Sequence, residues 1–179
     1  WQPVVDAVNV VEALDPRPAL RILLSPQGRP FRQAVAERLE RSVHVRGDLF
    51  RRMVVNGRAE MGPAEPSAEA VRQLRLRYKL AAAVADEYSQ AGFTVVLQDI
   101  ILGDDLADMV ATIRGRPLYV VVLAPRPEVV QAREDARQGA LGKVAYKPGD
   151  VGVAELDSQF RRKTPRIGLW LDTSDQTAA

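Results

Sequence analysis

"RILLSPQGRPFRQAVAERL", residues 21–39, decides the fold. Its first residues continue an apolar run with no alternation, the pattern of a strand buried on both faces of a parallel sheet. A short Ser-Pro-Gln-Gly-Arg-Pro loop follows. Ala34, Val35 and Leu39 then recur at helical spacing, which predicts an amphipathic helix. Near the start of an α/β chain, a strand–loop–helix unit of this kind commonly holds phosphate. This loop, however, has one glycine, Gly28, and no Gly-Lys-Ser/Thr.

Outward from that unit the pattern repeats. "LRILLS" (20–25), "SVHVRG" (42–47), "FTVVLQDI" (93–100), "LYVVVLAP" (118–125) and "IGLWLDTS" (167–174) are short apolar runs, each ending in a polar loop. Helical segments separate them. The clearest is "SAEAVRQLRLRYKLAAAVADEYSQAG", with Pro66 and Ser67 as its start and Gly92 as its stop. "DDLADMVATIRG" closes on Gly115, and "RPEVVQAREDARQ" carries Pro127 in its first turn. Five strands with intervening helices predict one α/β domain, a three-layer, doubly wound, five-stranded parallel sheet. The expected strand order is 2-3-1-4-5. Residues 1–41 would form an N-terminal helix–strand–loop–helix unit, 42–174 the remainder, and 175–179 a tail.

Composition narrows the chemistry. With 179 residues, 46% hydrophobic and 27% charged, the chain is ordinary for a soluble globular domain. A net charge of +2 gives no reason to expect nucleic acid as a partner. The absence of cysteine excludes thiolate metal sites and cysteine nucleophiles, and His44 is the only histidine. No apolar run approaches the roughly 18 residues of a membrane helix, so no membrane partner is expected. The first residues show no signal-peptide pattern, which makes a cytoplasmic location the default. "VVDAVNVVEAL" is apolar almost all round and should pack on the domain or on a second copy, giving a homodimer.

In doubly wound folds, ligands bind at the carboxyl ends of the strands. That rule selects Asp48, Asp99, Pro125, Arg126, Asp172 and Thr173. Acidic residues there can position magnesium or accept a hydroxyl proton. The plain structural reading is that Asp48 and Asp99 cap the helices after them. Capping explains a single aspartate well and a succession of them less well. Arg133 and Arg137 lie four apart on one helix face, either a solvated face interleaved with Glu134 and Asp135 or a clamp for phosphate oxygens. His44 reads as a packed core histidine, Trp170 as core, and "FRRKTPR" (160–166) as a solvated loop entering the last strand. Lys143 and Lys147 fall where a lid would lie.

From about Ser42 onward, "HVRGDLFRRM", "AGFTVVLQDIILGDD", "VVVLAPRPEVVQAREDARQG" and "LWLDTS" resemble the P-loop small-molecule kinases around chloramphenicol phosphotransferase and its zeta-toxin-like relatives. The resemblance implies transfer of the γ-phosphoryl group of ATP to a hydroxyl of a small-molecule substrate. It places Asp48 at the acceptor hydroxyl as base, Asp99 near metal and substrate, and Arg133 and Arg137 as lid arginines on nucleotide phosphates. Gly28 is what remains of the phosphate-binding loop. The slot "SPQGRPF" is a degenerate Walker A: lysine and Ser/Thr are missing, and Pro30 removes an amide from the helix start. Binding of ATP and magnesium is then weakened or lost.

The front of the chain resembles something different. "ALDPRPALRILLSPQGRPFRQAVAERL" is similar to the "LLSPQG" region of bacterial tRNA (guanine-N1) methyltransferase, which implies Ser25 and Pro26 at the rim of an S-adenosylmethionine pocket. The downstream "GRYEG"-type loop and glycine-rich stretch of that family do not occur. A chimera of the two enzymes, or a kinase relative with a decayed loop, would account for both likenesses. Three functions follow: an impaired phosphotransferase, a non-catalytic scaffold, and S-adenosylmethionine or tRNA binding.

Overall fold

The computed structural model describes residues 20–24, 35–61, 65–141 and 153–175. Five strands lie in one parallel sheet: β1 (Leu20–Leu24), β2 (Ser42–Arg46), β3 (Thr94–Asp99), β4 (Leu118–Leu123) and β5 (Leu169–Leu171). Their hydrogen-bonded order is β2-β3-β1-β4-β5. The central β1 pairs with both β3 and β4, so that Leu24 stands in register with Asp99 on one side and Val122 on the other. The chain therefore leaves β1 beside the carboxyl ends of β3 and β4.

Alternation along these strands divides the core in two. Val45, Val95, Leu97, Val120 and Val122 face the helix side built by α2 (Ala68–Gln90) and α3 (Asp105–Thr112), where Ala81, Ala82, Ala85, Leu106 and Met109 cover them. Val96, Val121 and Leu123 face the other way, beneath Val35 and Ala36 of a helical turn over residues 35–38. Helical cover on both faces explains why the strands read as unbroken apolar runs. Leu97 is fully buried, a contribution of about 1.5–3 kcal/mol from that side chain.

Three further helices complete the order: α1 (Gly47–Arg52), α4 (Pro127–Leu141) and α5 (Val153–Lys163). The long α2 begins and ends where its sequence says. The Ser67 hydroxyl accepts from the Ala70 amide at 3.1 Å, and Gly92 follows the last turn with φ +79°. Ser67→Ala should cost about 1 kcal/mol of unfolding free energy, the usual worth of such a cap, measurable by urea denaturation.

Several expectations need correcting. The basic run 160–166 is no loop entering β5: its first four residues are the last turn of α5, a helix that the polar sequence of 153–163 concealed. Phe160 there is buried and stacks on Trp170 at 5.0 Å, with the Arg166 guanidinium 4.2 Å from the indole centroid. Trp170 is accordingly half-buried at the sheet edge, not central core. β5 is three residues long, because Gly168 approaches the Val120 carbonyl too closely to carry a side chain and Asp172 begins a turn. His44 is half-buried on edge strand β2, with its Nε2 3.1 Å from the Gln98 Oε1 on β3. The helix after β2 is short and ends at Arg52.

The loop of residues 25–31 with Gly28, Ser25 and Pro26, the N-terminal apolar segment, Ala34, Lys143 and Lys147 all lie outside the described residues. No described helix is long and apolar enough to cross a membrane.

Candidate active site at the carboxyl edge of the sheet

Two aspartates selected from sequence sit on adjacent strand ends, and neither caps a helix. Asp99 is the last residue of β3, and its residue surface is 2% exposed. The guanidinium of Arg77, from the middle of α2, forks onto it. Arg77 Nε donates to Oδ2 at 2.9 Å, and Nη2 donates to Oδ1. The Ile100 amide donates to the same Oδ1 at 2.7 Å. The next helix starts six residues further on, at Asp105, with no side-chain cap from Asp104. Asp99 thus holds a strand end to a helix through a bidentate, charge-assisted pair.

Gly47 makes that pair sterically feasible. It opens α1, is buried, and lies so close to Asp99 that a Cβ at residue 47 would overlap the carboxylate. "RGD" at 46–48 therefore has a physical reason for its central glycine.

Asp48 stands on the outer side of this contact, in the first turn of α1. Its carboxylate is 28% exposed and takes two arginines, Arg52 Nη2 at 2.9 Å and Arg46 Nη2 at 3.4 Å. Burial lowers the pKa of Arg77, the nearby charge of Arg51 pushes the same way, and Tyr78 and Asp48 oppose it. Tyr78, beside Arg77 in sequence, donates to the Ile100 carbonyl at 2.9 Å, and burial raises its pKa above the usual phenol value. The carboxyl edge between β2 and β3 is thus one continuous set of charges: Asp48, Asp99, Arg46, Arg52 and Arg77.

At the other half of the sheet, Arg133 of α4 reaches the end of β5. Its Nη2 donates to the carbonyls of Thr173 at 2.9 Å and Ser174 at 3.3 Å. The Arg137 side chain lies outside the described part. The β4–α4 turn is tied to the same place: the Arg126 amide donates to the Ser174 hydroxyl at 2.8 Å, and that hydroxyl donates to Asp172 at 2.5 Å. Both bonds from Ser174 lower the pKa of Asp172, its hydroxyl more than its amide. Arg161 of α5 closes the turn by donating to the Ala124 and Pro125 carbonyls at 3.2 and 2.7 Å. Arg126, Asp172 and Thr173 were named from sequence; Arg161 was hidden in a run read as loop.

Sequence reasoning also missed Arg77 and Gly47, the two residues that organise Asp99. Arg77 sits among four arginines and lysines of α2, and nothing local separates it from its exposed neighbours. A functional reading of Gly47 was open from its place between a strand end and a candidate aspartate.

Magnesium finds a poor fit here. Both Asp99 oxygens are engaged by Arg77, one of them also by the Ile100 amide, and no group of three acidic or histidine side chains suited to a metal occurs among the described residues.

No protein-family model matches the chain, and no curated protein matches it. Solved structures do. A protein from Chloroflexus aurantiacus J-10-fl assigned as a kinase superposes with TM-score 0.54 at 19% identity, covering 88% of this chain and 86% of its own. An unliganded sugar kinase from Janibacter sp. HTCC2649 gives 0.58 at 15%, covering 90% and 87%. A chain in the structure of the Pnkp1/Rnl/Hen1 RNA repair complex gives 0.59 at 20%, covering 81% of this chain and 44% of that one. The fold is therefore a kinase-like α/β fold. The first two matches extend into the N-terminal unit, and the likeness of that unit to tRNA methyltransferase, with the chimera built on it, gains no support from them.

Proposed function

We propose that the chain is a phosphotransferase domain of P-loop-kinase-like, three-layer architecture that moves the γ-phosphoryl group of ATP to a hydroxyl of a small molecule. One observation carries the reading: Asp48 presents a partly exposed carboxylate at a strand end, while its neighbour Asp99 is buried and fixed. Two carboxylates one strand apart are thereby given different duties, one available to solvent and one structural.

In this reading, Asp48 accepts the proton of the acceptor hydroxyl. The oxygen forms a bond to the γ-phosphorus as the bond to the β-phosphate oxygen breaks, and ADP leaves with that electron pair. Arg46 and Arg52 orient the carboxylate. Arg133, Arg137 and Gly28 are assigned to the nucleotide phosphates, with the β1 end in register between β3 and β4 as the place where those phosphates arrive. No step is routed through magnesium, because Asp99 is already committed to Arg77.

Asp48→Asn tests the assignment. Transfer should fall by about 10²-fold or more, the usual worth of a positioned base. The unfolding midpoint should hardly move, since exposed ion pairs contribute about 0–1 kcal/mol. Unchanged turnover would remove Asp48 from the chemistry.

A second reading is a non-catalytic scaffold of the same fold. The sequence of residues 25–31, without lysine or Ser/Thr, favours it, and so does the closed Arg77–Asp99 pair. Under it, Asp48→Asn is silent in every assay except electrostatics.

A further inference from the structure

The arginines around Asp48 outnumber their carboxylates. Asp48 serves both Arg46 and Arg52, Glu60 serves both Arg51 and Arg58, and Asp99 serves Arg77. Five guanidiniums thus share three carboxylates, an excess of two positive charges at one corner of the sheet. Arg51, Arg52 and Arg58 reach solvent at 39%, 51% and 44% exposure, whereas two of the five are drawn in. Arg77 is 14% exposed and Arg46 24%, and the charges of Arg51 and Asp48 both act on Arg77.

Arg46 is the least satisfied of the group. Its contacts to Asp48 are 3.4 and 3.5 Å, beyond the usual 2.7–3.2 Å range of such bonds. Its Nε is buried with no hydrogen-bond partner among the described residues. A buried N–H without an acceptor is costly, and the cost vanishes when a ligand oxygen fills the gap. Arg46 leaves β2 on the face it shares with His44, away from α2, whereas Arg77 comes from α2 itself. The guanidiniums of Arg46 and Arg77 therefore start from opposite faces of the sheet edge, one reaching Asp48 and the other Asp99.

We infer that the acceptor taken by this site carries a phosphate group of its own, bound by Arg46 and Arg51 beside the hydroxyl that faces Asp48. The inference rests on the proposed role of Asp48 and adds the class of substrate to it. An excess of two charges matches a phosphate dianion better than a single carboxylate, and guanidinium forks suit its oxygens. A neutral acceptor would leave both the charge excess and the Arg46 Nε unanswered.

The test is calorimetric titration of the full chain with inorganic phosphate, against sodium chloride at matched ionic strength. Phosphate should bind, and Arg46→Gln and Arg51→Gln should each weaken it about tenfold. Arg46→Lys keeps the charge but loses the Nε donor and should fall between. Arg162→Gln, the same charge change on the exposed side of α5, should leave affinity unchanged, and amide spectra verify that every variant is folded. Equal weakening by Arg162→Gln would overturn the inference by reducing it to net charge. So would acetate competing as well as phosphate, or no phosphate binding in a chain that still phosphorylates a neutral acceptor; that last result leaves the proposed function standing. Phosphate held by Arg46 in a chain that transfers nothing would sustain the anion site and overturn the transfer.

Discussion

Gly47→Ala is expected to be, with Gly168→Ala, one of the two most damaging single-methyl changes among the described residues. The added Cβ would overlap the Asp99 carboxylate, which has no room to retreat because Arg77 and the Ile100 amide hold both its oxygens. Either α1 lifts from the sheet edge or the Arg77–Asp99 pair opens. Overpacking alone costs about 1–3 kcal/mol, and opening a buried pair about 3–5 kcal/mol. Urea unfolding should therefore show a loss of at least about 3 kcal/mol, several times that of Ser67→Ala. A variant that melts like the parent would mean that Asp99 is not where this contact puts it.

The second large effect belongs to the pair itself. Arg77→Met keeps much of the stem that packs along α2 but strips a 2%-exposed carboxylate of its cation. Removing one partner of a buried ion pair costs about 3–5 kcal/mol, because the other charge is left without compensation. Asp99→Asn should be costly for the mirror reason. Their combination should cost less than the sum of the two, since the double variant buries no orphan charge. A double-mutant cycle with a coupling of about 1 kcal/mol or more verifies this, and strict additivity would contradict it. The cycle separates structure from chemistry too: Asp99 as a strand-to-helix clasp predicts stability losses from Arg77→Met with Asp48-dependent turnover retained in whatever remains folded.

How much of this was legible in the sequence follows from range. The strands were readable because a sheet covered on both faces demands unbroken apolar runs, and the "FTVVLQDI" run fills a strand with five of six residues buried. The ends of α2 were readable because caps are local: Ser67 bonds three residues on, and Gly92 takes a conformation that glycine favours. What failed was non-local. Asp99 looked like a helix cap until Arg77, 22 residues earlier, proved to be its partner. Helix α5 was missed because Phe160 is its main apolar anchor among charged neighbours, and its docking partner Trp170 belongs to another element. The phosphate reading of Arg133, from its spacing to Arg137, is not among these failures; only its bonds to the Thr173 and Ser174 carbonyls were out of reach, because they depend on the β5 turn, which no helix-face argument contains.

The central claim is that this corner of the sheet serves phosphoryl transfer from a nucleotide. Calorimetric titration of the full chain with ATP, in buffer containing magnesium, tests it most directly, with an Arg133→Ala/Arg137→Ala variant alongside. The account predicts micromolar ATP or ADP binding that the double variant loses. No heat from either nucleotide, in a chain whose cooperative melt shows it folded, would contradict the account and leave the scaffold reading in its place.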